Sequence, residues 1–428
     1  MSVFYDLIFA VLSVIYLPVY LFRRKFHRGF KERLGILPAR MYLDRPVWIH
    51  AVSVGEVMAI RGLLEALRAR CPGKKFVIST VTPAGNKVAR TIVKGSDFVL
   101  YLPLDFGFIV RKVIDKINPC LFILAETEIW PNLISCLHKK GIPVVVVNAR
   151  ISDRSFKGYR AIGFFVKPIL RKISLFCTQT RRDAERLARL GADGDAIRFA
   201  GNLKFDIRAG AQKPALEIKE KLGLKAQDRL LVAGSTHPGE EPIILGAYKE
   251  LLPEFKDLRL LIAPRHTQRS SEIAGLIRRS GFEPVMVSVL DKDHSVPAGA
   301  VFVLDTVGQL LAFYSGADIV FVGGSLIKKG GHNILEPAFL AKPVLFGPQM
   351  FNFRDIAELF LENQASVMVR DQDALVKEVR DLLANPARAQ GLGRKARDLV
   401  LQNQGVTERH LEYIFKYCRY LEDGNKKD

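Results

Sequence analysis

Cysteine is sparse in this chain, and acidic residues are outnumbered by basic ones. The five cysteines (Cys71, Cys120, Cys136, Cys177 and Cys418) are odd in number, widely spaced and include no C-x-x-C pair. That excludes a zinc ribbon, a thioredoxin-like redox site and a disulfide scaffold, and it fits a reducing compartment. No H-E-x-x-H spacing offers a metalloprotease site, and no G-x-S-x-G elbow offers a serine nucleophile. The glycine-rich loops that follow apolar runs are neither G-x-G-x-x-G nor Walker A, so dinucleotide oxidoreduction and ordinary ATP hydrolysis lose support. Short tandem repeats and low-complexity tracts are also missing, which argues against a solenoid or a disordered array.

What is present is a large apolar fraction and an uneven charge. Of 428 residues, 49% are hydrophobic, enough for a packed core and for two domains or one large one. The net charge is +20, and almost all of it sits in one half. Residues 1–210 hold 35 basic and 16 acidic side chains, whereas residues 211–428 hold 29 and 28. The basic half therefore faces something anionic: a membrane surface, a phosphorylated substrate or nucleic acid.

Residues 2–22, SVFYDLIFAVLSVIYLPVYLF, carry one charge, Asp6. A helix of about 20 residues reaches across a hydrocarbon core. The flank at 23–33, RRKFHRGFKER, has six basic residues and one acid, which suits the cytoplasmic side and anionic headgroups. The expectation is a membrane anchor over 1–22, with Asp6 and Pro18 leaving open whether it spans the bilayer or lies in one leaflet. A core helix is the structural alternative. Residues 150–172 add seven basic side chains, one acid and interleaved aromatics. With an apolar segment in the same chain, a lipid-headgroup surface is expected there rather than nucleic acid.

Short apolar runs then alternate with amphipathic stretches. VWIHAVS (47–53), KFVISTVT (75–82), DFVLYLPLD (97–105), CLFILAETEIW (120–130), IPVVVVNAR (142–150) and SLFCTQT (174–180) read as strands feeding helices. After a polar join near 206–216 the pattern restarts with RLLVAGSTH (229–237), LRLLIAPRH (258–266), PVMVSVL (284–290), AVFVLDT (300–306), DIVFVGGS (318–325) and KPVLFGP (342–348). The repeated β-then-α order predicts two parallel sheets, each covered on both faces. Ligands in such sheets bind beyond the carboxyl ends of the strands.

Polar clusters stand at those ends. In HAVSVGE (50–56), Gly55 permits a tight turn and Glu56 opens a helix, where a carboxylate is normally stabilised as the anion; it reads either as a plain capping carboxylate or as a proton acceptor. In AETEIWPN (125–132), Glu126 and Glu128 follow a wholly apolar run, where acids must be solvated or paired. In GNLKFD (201–206), Lys204 offers a cation for a phosphate or carboxylate. In the second half, GSTHPGEE (234–241), APRH (263–266), DTVGQL (305–310), FVGGS (321–325) and GGHNILEPA (330–338) supply bare backbone N–H groups, Arg265, and a helix expected to begin near Asn333 with Glu336 in its first turn. His237, His266 and His332 lie on different loops and read as polar loop histidines rather than metal ligands.

Taken together, and in this order, HAVSVGE, ETEIWPN, NARISDRSF, GNLKFD, GSTHPGEE, APRH and GGHNILEPA resemble the 3-deoxy-D-manno-octulosonic acid (Kdo) transferases over nearly the whole chain. The resemblance implies an α/β GT-B glycosyltransferase fold: two Rossmann-like doubly wound domains facing a cleft, preceded by the anchor helix. The expected divisions are 1–22 (anchor), 23–210 (acceptor-binding domain), 211–405 (CMP-sugar-binding domain) and 406–428 (carboxyl-terminal helix and tail). It implies transfer of Kdo from CMP-Kdo to lipid IV(A) at the cytoplasmic face of an inner membrane, with no cofactor, no metal and no nucleic acid. By resemblance, Glu56 is the proton acceptor, and Glu126 and Lys204 stabilise the transition state. Pro264 and Arg265, Val307, Gly308 and Gln309, and Asn333, Ile334, Leu335 and Glu336 contact CMP. The family commonly has methionine and glutamate where this chain has Val307 and Gln309. The competing readings are a GT-B enzyme for another nucleotide sugar, such as a UDP-hexosamine, and a non-catalytic tether for anionic lipid.

Overall fold

The computed structural model describes residues 5–7, 9–11, 15, 29–38, 41, 43–95, 97–207, 214–290 and 299–417. Most of the expected anchor and its basic flank up to residue 28 lie outside the described residues, as do the expected boundary at 210–211 and the end of the tail. Among the described residues no helix is long and apolar enough to cross a membrane. Residues 5–7 and 9–11 are helical. The chain forms two compact units: one runs to Asp206 and resumes at Gly405, the other runs from Ile207 to Gln404.

The first unit is built on a seven-stranded sheet: β1 (Val47–His50), β2 (Phe76–Thr80), β3 (Phe98–Tyr101), β4 (Leu121–Ala125), β5 (Val144–Ala149), β6 (Leu175–Thr178) and β7 (Ile197–Phe199). The order is β3-β2-β1-β4-β5-β6-β7 and every pairing is parallel. Strands β1, β2, β4, β5 and β6 are buried at every position, because helices cover both faces. Their near-continuous β-branched and aromatic character follows from that burial. Trp48, fully buried, satisfies its indole N–H on Ser79 Oγ at 2.8 Å. Strand order reverses between β1 and β4, so the crevice for a ligand opens where the β1 and β4 loops leave the sheet.

The second unit repeats the plan with β8 (Arg229–Thr236), β9 (Leu258–Pro264), β10 (Pro284–Met286), β11 (Val301–Val303), β12 (Ile319–Val322), β13 (Val344–Phe346) and β14 (Val367–Met368). The order is β10-β11-β9-β8-β12-β13-β14, again wholly parallel, with its reversal between β8 and β12. PVMVSVL is a strand only through Met286. Val287–Val289 is a 3-10 turn, because Asp305 accepts the Ser288 N–H at 2.9 Å and its hydroxyl, and Val289 is left exposed.

The helix Val406–Tyr417 belongs to the first unit, although the second unit precedes it in sequence. Asp206 seats it: its carboxylate accepts the N–H groups of Gly405 at 2.8 Å, Val406 at 3.2 Å and Thr407. These are the orphan donors of a helix start, satisfied here by a carboxylate about two hundred residues upstream. Asp206→Ala should therefore cost about 1–2 kcal/mol, as loss of a helix cap does. The check is urea unfolding followed by the fluorescence of Trp48 and Trp130, both in the first unit, whose midpoint should move to lower denaturant.

Candidate active site

In the first unit Glu56 sits in the first turn of helix Val54–Arg70, directly after β1. Its Oε2 accepts the Val52 N–H at 2.7 Å and its Oε1 accepts the Ser53 hydroxyl at 2.9 Å. It thus reaches back across the helix start as a capping carboxylate does. The sequence suggested that this position would favour the anion. The structure reverses that: burial, then repulsion from Glu126, outweigh the two hydrogen bonds and push the Glu56 carboxyl up to about 7. Gly55 lies within the helix and has no positive φ, so the turn does not depend on it.

Glu126 follows β4 and adopts left-handed backbone at φ +58, donating its N–H to Val147 O at 2.9 Å. Glu128 is also pushed up, first by burial and then by Glu126. Among the described residues no cation pairs with Glu56, Glu126 or Glu128. Three half-buried carboxyl groups therefore crowd the β1/β4 reversal. Behind them, Trp130 packs edge-on to His50. His50 is held neutral, its pKa lowered to about 3 by burial, with Nδ1 on the Ser79 carbonyl.

Lys204 is half-buried on the 3-10 turn Leu203–Phe205. Asn202 Oδ1 accepts its N–H at 3.0 Å, and Asn148 Oδ1 accepts that of Leu203 at 3.0 Å. Asn148 is the polar interruption of the apolar β5 run, at φ +55 where the pairing to β6 slips register. Its own N–H donates to His410 Nε2 at 3.2 Å, while His410 Nδ1 bonds the Val406 carbonyl at 2.8 Å. The partners fix the tautomer: Nδ1 carries the proton and Nε2 accepts. Burial lowers His410 to about 4 and keeps it neutral. Sequence reading passed over Asn148 and His410. The one available signal was an asparagine ending a run of valines.

In the second unit the loops after β8, β9 and β12 converge. Glu240, fully buried, accepts four backbone N–H groups: His237 at 3.0 Å, Gly324 at 2.7 Å, Ser325 at 3.0 Å and Leu326 at 3.0 Å. It staples the β8 and β12 loops across the strand reversal. His237 and His332, read separately from sequence, are in contact, with their Nε2 atoms 2.8 Å apart, and His266 lies edge-on to His237. Gly324 permits this approach: it sits at φ +68, and a Cβ there would meet His332 at 2.9 Å. Burial, then Arg265, lowers His332 to about 4. No group of three metal-ligating side chains occurs among the described residues.

Arg265 is exposed beside the histidines and beside Glu336, whose carboxyl burial pushes up. Asn333 Nδ2 donates to Glu336 Oε1 at 3.0 Å, and its Oδ1 accepts the Leu335 N–H at 3.2 Å. The helix expected near Asn333 starts at Leu335 and runs only to Phe339. Pro264, Ile334 and Leu335 are buried, so they can offer a ligand backbone groups alone. Val307 is 85% exposed, Gly308 is exposed, and Gln309 accepts from Lys221 Nζ at 3.2 Å. The structure thus gathers Arg265, Asn333, Glu336, His237, His266 and His332.

The family model described as 3-deoxy-D-manno-octulosonic-acid transferase (kdotransferase) matches residues 28–207. A 3-deoxy-D-manno-octulosonic acid transferase of Haemophilus influenzae is 35% identical over 373 residues, covering 87% of each chain. One from Rickettsia felis is 32% identical over 88% of this chain and 80% of its own. Among solved structures, a glycosyltransferase of Rickettsia africae is 14% identical over 90% of this chain and all of its own, with TM-score 0.55. The UDP-GlcNAc 2-epimerase of Neisseria meningitidis bound to UDP-GlcNAc is 12% identical over 87% of this chain and all of its own, with TM-score 0.59. Both likenesses bear on the fold alone: two Rossmann-like units in one chain.

The neutral His410 gives a prediction with a definite sign. Its folded pKa of about 4 lies below the ordinary 6.5, so the unfolded chain binds the extra proton. Stability is then lost as pH falls from 6.5 towards 4. His410→Gln, which can still accept the Asn148 N–H, should lose less stability than wild type between pH 7 and pH 5 in urea unfolding.

Proposed function

The chain belongs to the 3-deoxy-D-manno-octulosonic acid (Kdo) transferase family and is a glycosyltransferase, and we propose that it transfers Kdo from CMP-Kdo to lipid IV(A) with inversion at the anomeric carbon. The observation that carries the reading is Glu56, a carboxyl lifted to about 7 at the β1/β4 reversal. A base with that affinity can take a proton near neutral pH and still exist largely as the anion just above it. Glu56 removes the proton of an acceptor sugar hydroxyl as that oxygen bonds to the anomeric carbon of Kdo. The bond to CMP breaks, and its electron pair leaves with the phosphate.

Lys204 offsets the anionic donor, and Glu126 stabilises the positive character that grows at the anomeric carbon as CMP leaves. In the second unit Arg265, Asn333, and the backbone at Pro264, Ile334 and Leu335 hold the CMP. The Val307–Gly308–Gln309 turn contributes backbone contacts, and Glu336 accepts from the ribose hydroxyls. CMP is already a good leaving group, so the reading requires neither a metal nor a cofactor.

We place the enzyme at the cytoplasmic face of the inner membrane. Residues 1–22 anchor it there, and the basic surface of 23–33 and 150–172 meets anionic lipid rather than nucleic acid. Phe108 and Phe164, 73% and 83% exposed, support a lipid-facing side on the first unit.

Mass spectrometry of lipid IV(A) after incubation with CMP-Kdo should show one or more added Kdo masses. An unmodified acceptor, or transfer from a UDP-sugar instead, would refute the donor assignment. Glu56→Gln should lower kcat by about 10²–10⁴-fold while leaving CMP affinity intact. Wild-type kcat/KM should rise with pH through an apparent pKa of about 7. Because the negative charge of Glu126 helps to raise Glu56, Glu126→Gln should move that limb to lower pH.

A further inference from the structure

We propose that Asp6 is a positioning residue for the acceptor-side carboxylates, locking the amino-terminal segment to the base of the loop that carries Glu126 and Glu128. The proposal rests on the reading of Glu56 and Glu126 as the reacting site.

Asp6 is the one charge in residues 2–22, and a carboxylate in an otherwise apolar segment is costly in lipid. Here it is spent on the protein. Its Oδ1 accepts the Gly107 N–H at 3.1 Å and the Asn132 side-chain N–H at 2.7 Å. Gly107 opens helix Gly107–Ile117, and a Cβ there would lie 3.1 Å from Asp6 Oδ2, so the fit is tight. Asn132, 5% exposed, is the second residue of helix Pro131–Lys139 and also donates to the Asp105 carbonyl. Asp105, 1% exposed, accepts the backbone N–H groups of Asn132 at 3.1 Å and Leu133 at 2.9 Å, and it bonds the Tyr5 hydroxyl. The Tyr5 ring stacks on Phe165 at 5.8 Å, and Phe9 meets Phe106 edge-on at 4.9 Å. Two carboxylates, one from the amino-terminal segment, therefore cap two helix starts and share one asparagine.

That asparagine ends the loop from Glu126 to Trp130. The upstream end is fixed by β4 and by the Glu126 N–H on Val147 O. The downstream end is fixed by the Asp105–Asn132–Asp6 cluster. Left-handed backbone at a non-glycine residue such as Glu126 persists only where its surroundings over-determine it. Releasing one end lets the loop relax and moves Glu126 away from Glu56.

The test compares Asp6→Leu, Asp6→Asn and wild type as full chains. If the segment served only as an apolar anchor, Asp6→Leu would improve it. We expect the reverse: kcat with CMP-Kdo and lipid IV(A) falls by about tenfold or more, as a small misplacement of catalytic groups costs. KM for CMP-Kdo should stay unchanged, and co-sedimentation with phosphatidylethanolamine–phosphatidylglycerol vesicles should be retained or raised. Asp6→Asn keeps an oxygen for both donors and should retain at least half of wild-type kcat. Amide hydrogen exchange over residues 126–133 should speed up in Asp6→Leu, remain as in wild type in Asp6→Asn, and leave the second unit unaffected in both. Wild-type kcat, or unchanged exchange, in Asp6→Leu would overturn the proposal. Failure of the wild-type chain to use CMP-Kdo would strike the reaction assigned above, while the exchange measurement still decides the role of Asp6.

Discussion

A wholly parallel sheet covered on both faces leaves polar chemistry one place to go, the loops beyond the strand ends, and both units of this protein are organised by that constraint. The central strands of the first unit are too dry to carry charge: β1, β4 and β5 are buried at every residue. Every acid, histidine or amide that could meet a ligand is therefore delivered at a strand terminus. The strand reversal then selects which termini matter. In the first unit the selected pair brings Glu56 against Glu126, and in the second it brings His237 against His332.

The two units use buried carboxylates in opposite ways. Glu240 spends both oxygens on four backbone N–H groups and joins two loops. Glu56 has one backbone N–H and one hydroxyl, with other acids nearby and, among the described residues, no cation paired with them. The first is an internal fastener whose capacity is filled. The second is left with proton affinity near neutrality, which suits acid–base chemistry near pH 7.

Much of this was legible in the residues. The alternation of apolar runs and amphipathic stretches located six of the seven strands in each sheet, missing the short edge strands β7 and β14, and the polar clusters at their ends located the loops that matter. Three things were not legible. The proton affinity of Glu56 depends on Glu126, seventy residues away, so a local rule about helix starts gave the wrong sign. The pairing of His237 with His332 depends on β8 lying beside β12, and strand order is not written in either segment. Asp6 looked like a flaw in an apolar run, because its partners Gly107 and Asn132 are more than a hundred residues downstream.

The return of the helix Val406–Tyr417 to the first unit makes the second unit an insertion within the first. His410 and the N–H groups held by Asp206 come from a segment that follows the whole second unit in sequence. On the ribosome, the Lys204 turn therefore stays without its final brace until the whole second unit has been made. A product truncated before Gly405 would carry every strand of both sheets and still lack the brace for one of its cations.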